Sequence, residues 1–300
     1  EVYEYNLYKL GIKYPYTEED FLRTGKTVLD AKEELSKNRE TQTDKTVDLT
    51  IKQRETESQL NELSSELESL GNRSSNIPLK NIEIRKRIAD GIGISDQAIP
   101  FVGELLQVKE EEQKWNYAIE ILLHNLALTL LVNEKNYKSV TEYVNNNDMK
   151  GRVVYLRTDL QLGKGVPEVK SDTVLGKLNI KEGNDFSSWI ERHIYDKWNY
   201  RCSDDYSVIA NSGKVITSAG LVKNGIKHEK DDSENKKNRS ICVLGWNNLD
   251  KRKALSSQIE ELRNLLDSIK QEKISVEKEL KSIESKTDSV KKILEYNSFA

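Results

Sequence analysis

From Leu255 to Leu294 the chain carries an apolar seam that it cannot bury alone. Positions 255, 262, 269, 276, 283 and 290 are Leu, Leu, Ile, Val, Ile and Val. Positions 259, 266, 273, 280, 287 and 294 are Ile, Leu, Lys, Leu, Thr and Leu, so ten of the twelve seam positions are apolar. A strict three–four repeat of this kind specifies a coiled coil. Its stripe is too narrow to close on itself and requires a partner helix.

A second helix of this type precedes it. Between Phe21 and Leu70 there is no proline, and Gly25 is the only glycine. Leu35, Leu49, Leu63 and Leu70 fall on one heptad line, and Leu60 and Leu67 fill the second, whereas Gln42, Thr46 and Gln53 interrupt the seam. About 50 helical residues would reach roughly 75 Å. Each arm is the other's most economical partner, since the chain reverses between them. An intramolecular antiparallel pair is the leading expectation, and pairing of each arm with another chain is the alternative. The expected seam is Leu60, Leu63, Leu67, Leu70, Leu255, Ile259, Leu262, Leu266, Ile269, Val276, Leu280 and Ile283.

Composition agrees with long exposed helices: 36% of residues are hydrophobic and 32% charged, too polar for one ordinary globule. The net charge of −3 offers no global argument for nucleic acid, so any such surface must be local. Cys202 and Cys242 lack metal-ligand spacing, and a reducing cytoplasm is the expected location. No run approaches about 18 apolar residues, so no membrane span is expected. The chain begins at Glu1 and its heptads run to the end, which reads as an internal piece of a longer protein.

The expected organisation is a Tyr-rich leading segment over 1–21, an arm over 22–72, a globule over 73–248 and the second arm over 249–300. Tyr3, Tyr5, Tyr8, Tyr14 and Tyr16 crowd around Gly11 and Pro15 in the leading segment. They read as a packed turn before a helix, or as a joint or partner contact. Thr17 followed by three acids is a helix N-terminus signal. Gly71 to Pro78 breaks the first arm, and Ile82, Ile84, Ile88 and Ile92 predict a short helix.

Phe101–Arg157 is the densest apolar stretch and reads as strand, helix, strand, helix, strand: Val102–Val108, Glu112–Leu126, Leu128–Val132, Tyr137–Val144 and Arg152–Leu156. Alternation of this kind predicts a mixed α/β globule. Val174–Ile180 reads as a strand or helical turn and Phe186–Trp198 as a helix. Tyr206–Gly213 and Lys214–Gly220 read as two short strands, and Ser240–Leu244 as the last.

Ala118-Ile-Glu-Ile-Leu-Leu, Leu128–Val132, Tyr137–Val144 and Gly151-Arg-Val-Val-Tyr-Leu156 resemble the hinge of SMC (structural maintenance of chromosomes) proteins. Gly213–Gly225 is similar to the second-half hairpin of that hinge, with Asn224-Gly225 where a double glycine is usual. A narrower resemblance is to the SMC-like ATPase of the Wadjet and MukBEF/MksBEF-like condensin group, the JetC/MksF subunit. It is carried over residues 75–248 by Ser75-Asn-Ile-Pro78, Phe101–Val108, Trp115, Tyr143-Val-Asn145, Gly151–Tyr155, His228–Asp232 and Leu244-Gly-Trp-Asn-Asn248. The fold implied is an α+β SMC-type hinge globule at the tip of a long antiparallel coiled coil.

The function implied is homodimerisation of a DNA-handling ATPase that clears plasmids or foreign DNA. Its parent would bind ATP and Mg in heads absent from this piece, and would assemble with kleisin, KITE-type and nuclease subunits. Dimer contacts implied at the hairpin are Gly213, Ile216, Gly220, Leu221, Val222 and Gly225. The alternatives are a DNA-contacting module on a coiled-coil stalk, the hinge of a chromosome-segregation condensin, and a stalk-borne enzyme domain, which lacks a convincing catalytic set.

Basic residues cluster at Lys80, Arg85, Lys86 and Arg87, and again at Lys223, Lys227, Lys230, Lys236, Lys237 and Arg239. Phosphate contact needs only such positive points, so weak, non-specific DNA binding is the most these imply. Acids interleave both clusters, as on an ordinary solvated surface. Gly25-Lys-Thr27 resembles the end of a phosphate loop, but Asp20 stands where that loop needs glycine. A zinc hook would need Cys-x-x-Cys, which Cys202 and Cys242 do not form. His228, Glu229, Asp231 and Asp232 read as a solvated loop before a metal site, and His124 and His193 as packed or surface histidines. No catalytic residue, cofactor site or metal site is assigned.

Overall fold

The computed structural model describes residues 1–158, 166–232 and 239–296, with the side chain of Arg239 outside that set. The chain forms two compact units. One gathers residues 1–62 with 259–300, and the other spans Leu63–Gln258.

The first unit is helical. Helix α1 covers Val2–Lys9, α2 Glu18–Gly71 and the last helix, α8, Leu249–Leu294; α2 and α8 continue into the other unit. Thr17 caps α2, its hydroxyl accepting from Asp20 N at 3.1 Å. Along α8, Leu255, Ile259, Leu266, Ile269 and Val276 are buried, and Leu262, Leu280 and Ile283 are half-buried. On α2, Leu70 is buried and Leu60, Leu63 and Leu67 are half-buried.

Within the first unit the two long helices pair antiparallel. Leu49 packs with Ile269 and Val276, whereas Val28, nearer the start of α2, packs with Val290 and Ile293 near the end of α8. Lys45 pairs with Glu272 at 2.9 Å beside the seam. The polar seam positions find one another in part: Lys273 donates to Gln53 Oε1 at 3.0 Å. The leading segment is a helix as well as a turn. Leu7 of α1 joins Val28 and Val290, and Tyr3 makes ring contacts with Tyr14, Phe21 and Tyr296. Gly25-Lys-Thr27 lies inside α2, where a helix leaves no loop to wrap a phosphate.

The second unit is a mixed helix and strand globule. Its helices are α3 (Leu79–Ile92), α4 (Asn116–Ala127), α5 (Glu134–Asn146), α6 (Ser187–His193) and α7 (Tyr206–Asn211). Strands β1 (Leu106–Val108) and β4 (Leu178–Ile180) pair antiparallel, and β2 (Leu130–Val132) pairs parallel with β3 (Tyr155–Arg157). A four-stranded sheet follows the order β5 (Arg201–Cys202), β6 (Lys214–Ile216), β7 (Val222–Asn224), β8 (Lys227–Glu229). Helix α4 is the centre of the core: Ala118, Ile119, Leu123 and Ala127 are fully buried with β2 and Ile88 of α3.

Three strand expectations are corrected. Tyr206–Asn211 is helix α7, because Asp205 caps it by accepting from Ser207 N at 2.7 Å. Ser240–Leu244 contains a 3-10 turn at Arg239–Ile241, and its later amide groups bond a carboxylate instead of a strand. Val102–Glu104 is a 3-10 turn ahead of β1, held by Glu104, which accepts from Phe101 N at 3.0 Å. The expected strand at 152–156 is the shorter β3, which begins three residues later and ends one later, and Phe186–Trp198 divides into α6 and a π-turn at Ile194–Trp198. No helix among the described residues is long and apolar enough to cross a membrane.

Candidate interaction edge and the neck of the globule

The four-stranded sheet has one fully exposed edge. Lys227, His228 and Glu229 of β8 all lie open to solvent, and β8 is the last strand of this sheet among the described residues. An edge strand is the place where a sheet can be extended by a strand of another chain. Ile226, in the turn before β8, is 100% exposed. Gly225 occupies the first central position of that two-residue turn at φ +60°, a conformation that favours glycine in tight hairpins. Its N–H donates to Gly213 O at 2.7 Å, which fixes the hairpin against the start of β6.

The other end of the β6–β7 hairpin is seated on α4. Gly220 has φ +85°, and a Cβ there would approach Tyr117 Cε1 to 2.8 Å. Tyr117 Oη donates to Asp231 O at 3.3 Å, holding the segment after β8.

The hairpin residues therefore divide. Gly213 and Gly225 are exposed, and Leu221 and Val222 are half-buried. Ile216 is 0% exposed within the protein's own core, and Gly220 is filled against α4. Those two positions support the hairpin from beneath.

The basic candidates divide in the same way. Lys80 and Lys86 are exposed on α3. Arg87 donates to Met149 O at 2.7 Å. Arg85 is only 7% exposed, pairs with Glu104 and Asp96, and lies over the Phe101 ring; it is an interior residue instead of a free phosphate contact. Lys223 donates to Ile209 O at 2.7 Å and Ala210 O at 2.9 Å, closing the C-terminus of α7. Lys227 pairs with Glu229 at 2.5 Å. Lys230 pairs with Asp232 at 2.7 Å. Lys236 and Lys237 lie outside the described residues, as does the side chain of Arg239.

Cys202 is buried, and desolvation pushes its thiol up to about 12, so it is inert as a nucleophile. His193 stacks on Trp189 at 4.6 Å, and burial lowers its proton affinity.

A buried polar network occupies the neck, where α2 ends and α8 begins inside the globular unit. Glu66 accepts from Leu79 N at 2.6 Å and from Arg73 at 3.0 Å, and it pairs with Lys251 at 3.5 Å. Lys251, 4% exposed, donates to Asn76 O at 2.6 Å. Asn76 donates through Nδ2 to Leu244 O at 2.7 Å and Asn247 O at 3.1 Å. Asn248 donates to the carbonyls of Leu70 and Arg73.

Glu120 of α4 accepts from Val243 N at 3.1 Å and Leu244 N at 3.2 Å. Burial raises its pKa to about 7, opposed by those two amides, by Lys251 and by a hydrogen bond with Cys242. Burial likewise lowers the pKa of Lys251, against the attraction of Glu66. A cleft of about 410 Å³ opens beside Glu120, Asn76 and Lys251.

No protein-family model matches the chain, and no curated protein does. Among solved structures it is similar to the Pyrococcus furiosus Smc hinge domain with an extended coiled coil, at 18% identity over 92% of each chain and a TM-score of 0.42. It is similar to the folded elbow of cohesin at 16% identity, over 98% of this chain and 41% of that one, with a TM-score of 0.43. An asymmetric dimer of the Geobacillus stearothermophilus SMC hinge domain shares 14% identity over 83% of this chain and 98% of that one, with a TM-score of 0.38. No family is assigned from these values.

Proposed function

We propose that the chain is a non-catalytic self-association module, the dimerisation hinge of an SMC-like ATPase with parts of its two arms. The single observation that carries this reading is the exposed β8 edge, with Ile226 fully open beside it. Adding a strand from a second copy at this edge would extend the sheet across the two chains, and Ile226 would supply apolar burial at the contact. The antiparallel pairing of α2 with α8 supports it, since a globular unit inserted between two such helices suits an end-to-end connector. The sequence resemblance to the JetC/MksF group extends the reading to plasmid or foreign-DNA defence. In that setting the parent chain binds ATP and Mg elsewhere and works with kleisin, KITE-type and nuclease subunits in the cytoplasm. A role in chromosome segregation would use the same module.

DNA contact is the secondary part of this reading, supported by the exposed Lys80 and Lys86. Such binding is weak and electrostatic, so a mobility shift seen at about 50 mM salt vanishes by about 200 mM.

Sedimentation equilibrium of the 300-residue chain tests the main reading. The expected result is a dimer at micromolar concentration that Ile226→Asp converts to monomer with unchanged circular dichroism. A wild-type chain that stays monomeric at tens of micromolar overturns it.

A further inference from the structure

The neck network joins three separate stretches of chain through side chains that are almost entirely inside. Glu66 lies near the end of α2, Arg73 and Asn76 lie in the turn after it, Asn248 immediately precedes α8 and Lys251 lies in its first turn. The Glu66 carboxylate alone holds the N-terminus of α3, Arg73 and Lys251. Asn248 and Lys251 reach from α8 to the backbone of Leu70, Arg73 and Asn76. Asn76 reaches back to Leu244 and Asn247. The bonds run in both directions, so the two arm exits are tied to each other and neither is merely resting on the core.

We propose that this network is a latch: contact between Glu66 and Lys251 fixes the separation of the two arm helices at the neck, and loss of either charge releases them.

The physical basis is burial. Lys251 is 4% exposed, and the Glu66 side chain is 15% exposed. Removing one partner of such a pair leaves the other charge inside with less compensation, since Glu66 keeps only Arg73 and Leu79 N and Lys251 keeps only Asn76 O, and the structure relieves the deficit by opening to water. The charged groups facing the pair are Arg73 from the turn after α2 and Glu120 from α4. With Glu66 gone, Arg73 and Lys251 would face each other as like charges. A surface pair behaves differently, weakening gradually as salt is added.

Spin labels at Ser65 and Lys253, both exposed and both within the globular unit, read the separation in the full chain with Cys242 replaced by Ser. The wild-type background should give one narrow distance that does not change between about 0.05 and 0.5 M salt. Glu66→Gln and Lys251→Gln should each broaden the distribution and lengthen its mean by several ångströms. The double variant should go no further than the larger single effect, because both remove one contact. Single-variant distributions that superimpose on the wild type overturn the latch, as does a double variant that sums the two effects. The salt series is independent of any variant's folding: a wild-type distance that grows with salt also overturns it.

Discussion

Glu120 is a carboxylate at the centre of an apolar helix, and its surroundings make a definite pH prediction. Its pKa is raised from 4.5 to about 7, chiefly by burial. The folded state therefore holds its proton more tightly than the unfolded state. The resulting stabilisation is fully present below about 4.5 and is lost as pH rises through about 7. The size follows from the gap at 1.36 kcal/mol per pH unit, about 3 kcal/mol. Glu120→Gln removes the titration, so wild type minus variant stability, from denaturant unfolding, should favour wild type more at pH 5 than at pH 8 by up to that amount. An equal difference at both pH values would show that the group ionises freely. Gly220 supports a second prediction at this scale. With φ +85° and Tyr117 2.8 Å from a built Cβ, Gly220→Ala should cost about 2 kcal/mol in the same assay. A loss under about half that would mean that the hairpin lifts from α4 at little cost.

The elements show which parts of a chain a sequence makes legible. The long helices were readable because their stripe repeats many times over, and each repeat makes the same demand for a partner. Even the weak part of the α2 seam has a structural counterpart. Gln42 Oε1 is buried without a hydrogen-bond partner, and Gln53 is served by Lys273 across the seam. Replacing Gln42 by Leu should therefore raise the stability of the helix pair by about 1 kcal/mol, read as a higher thermal midpoint by circular dichroism. A lowered midpoint would mean that the amide is satisfied. The globule was less legible because its strands are two or three residues long, too short for alternation to express itself. At Tyr206–Asn211 the β-rich composition lost to the Asp205 cap. At Val243 and Leu244 the apolar run delivers its amides to Glu120, a partner more than a hundred residues away that no local pattern predicts. A signal was present nonetheless: an acid at 120, flanked by Ile119 and Ile121 on a helix otherwise apolar there, demands buried donors. Asn76 and Asn248 stand in the short segments that carried the family resemblance, and the structure shows what they do: they tie the neck.

At the scale of the whole molecule, the decisive question is whether the arms pair within one chain while the β8 edges pair between chains. Both kinds of association bury apolar surface, and a chain with exposed arms in a dimer could exchange one for the other. The ion pairs in the first unit argue for pairing within the chain. Lys45 and Glu272 approach to 2.9 Å beside a seam in which Leu49 meets Ile269 and Val276. Exposed ion pairs of this kind contribute little energy, so they mark the register without enforcing it, and the apolar seam does the enforcing. A chain carrying both Lys45→Cys and Glu272→Cys should therefore cross-link with a short bis-maleimide and keep the mass of one chain under denaturing conditions. A mixture of the two single variants should give no covalent dimer through these positions, even where the same sample sediments as a dimer. A covalent dimer in that mixture would mean that the arms are shared between copies, and the β8 edge would then lose its standing as the contact that joins them.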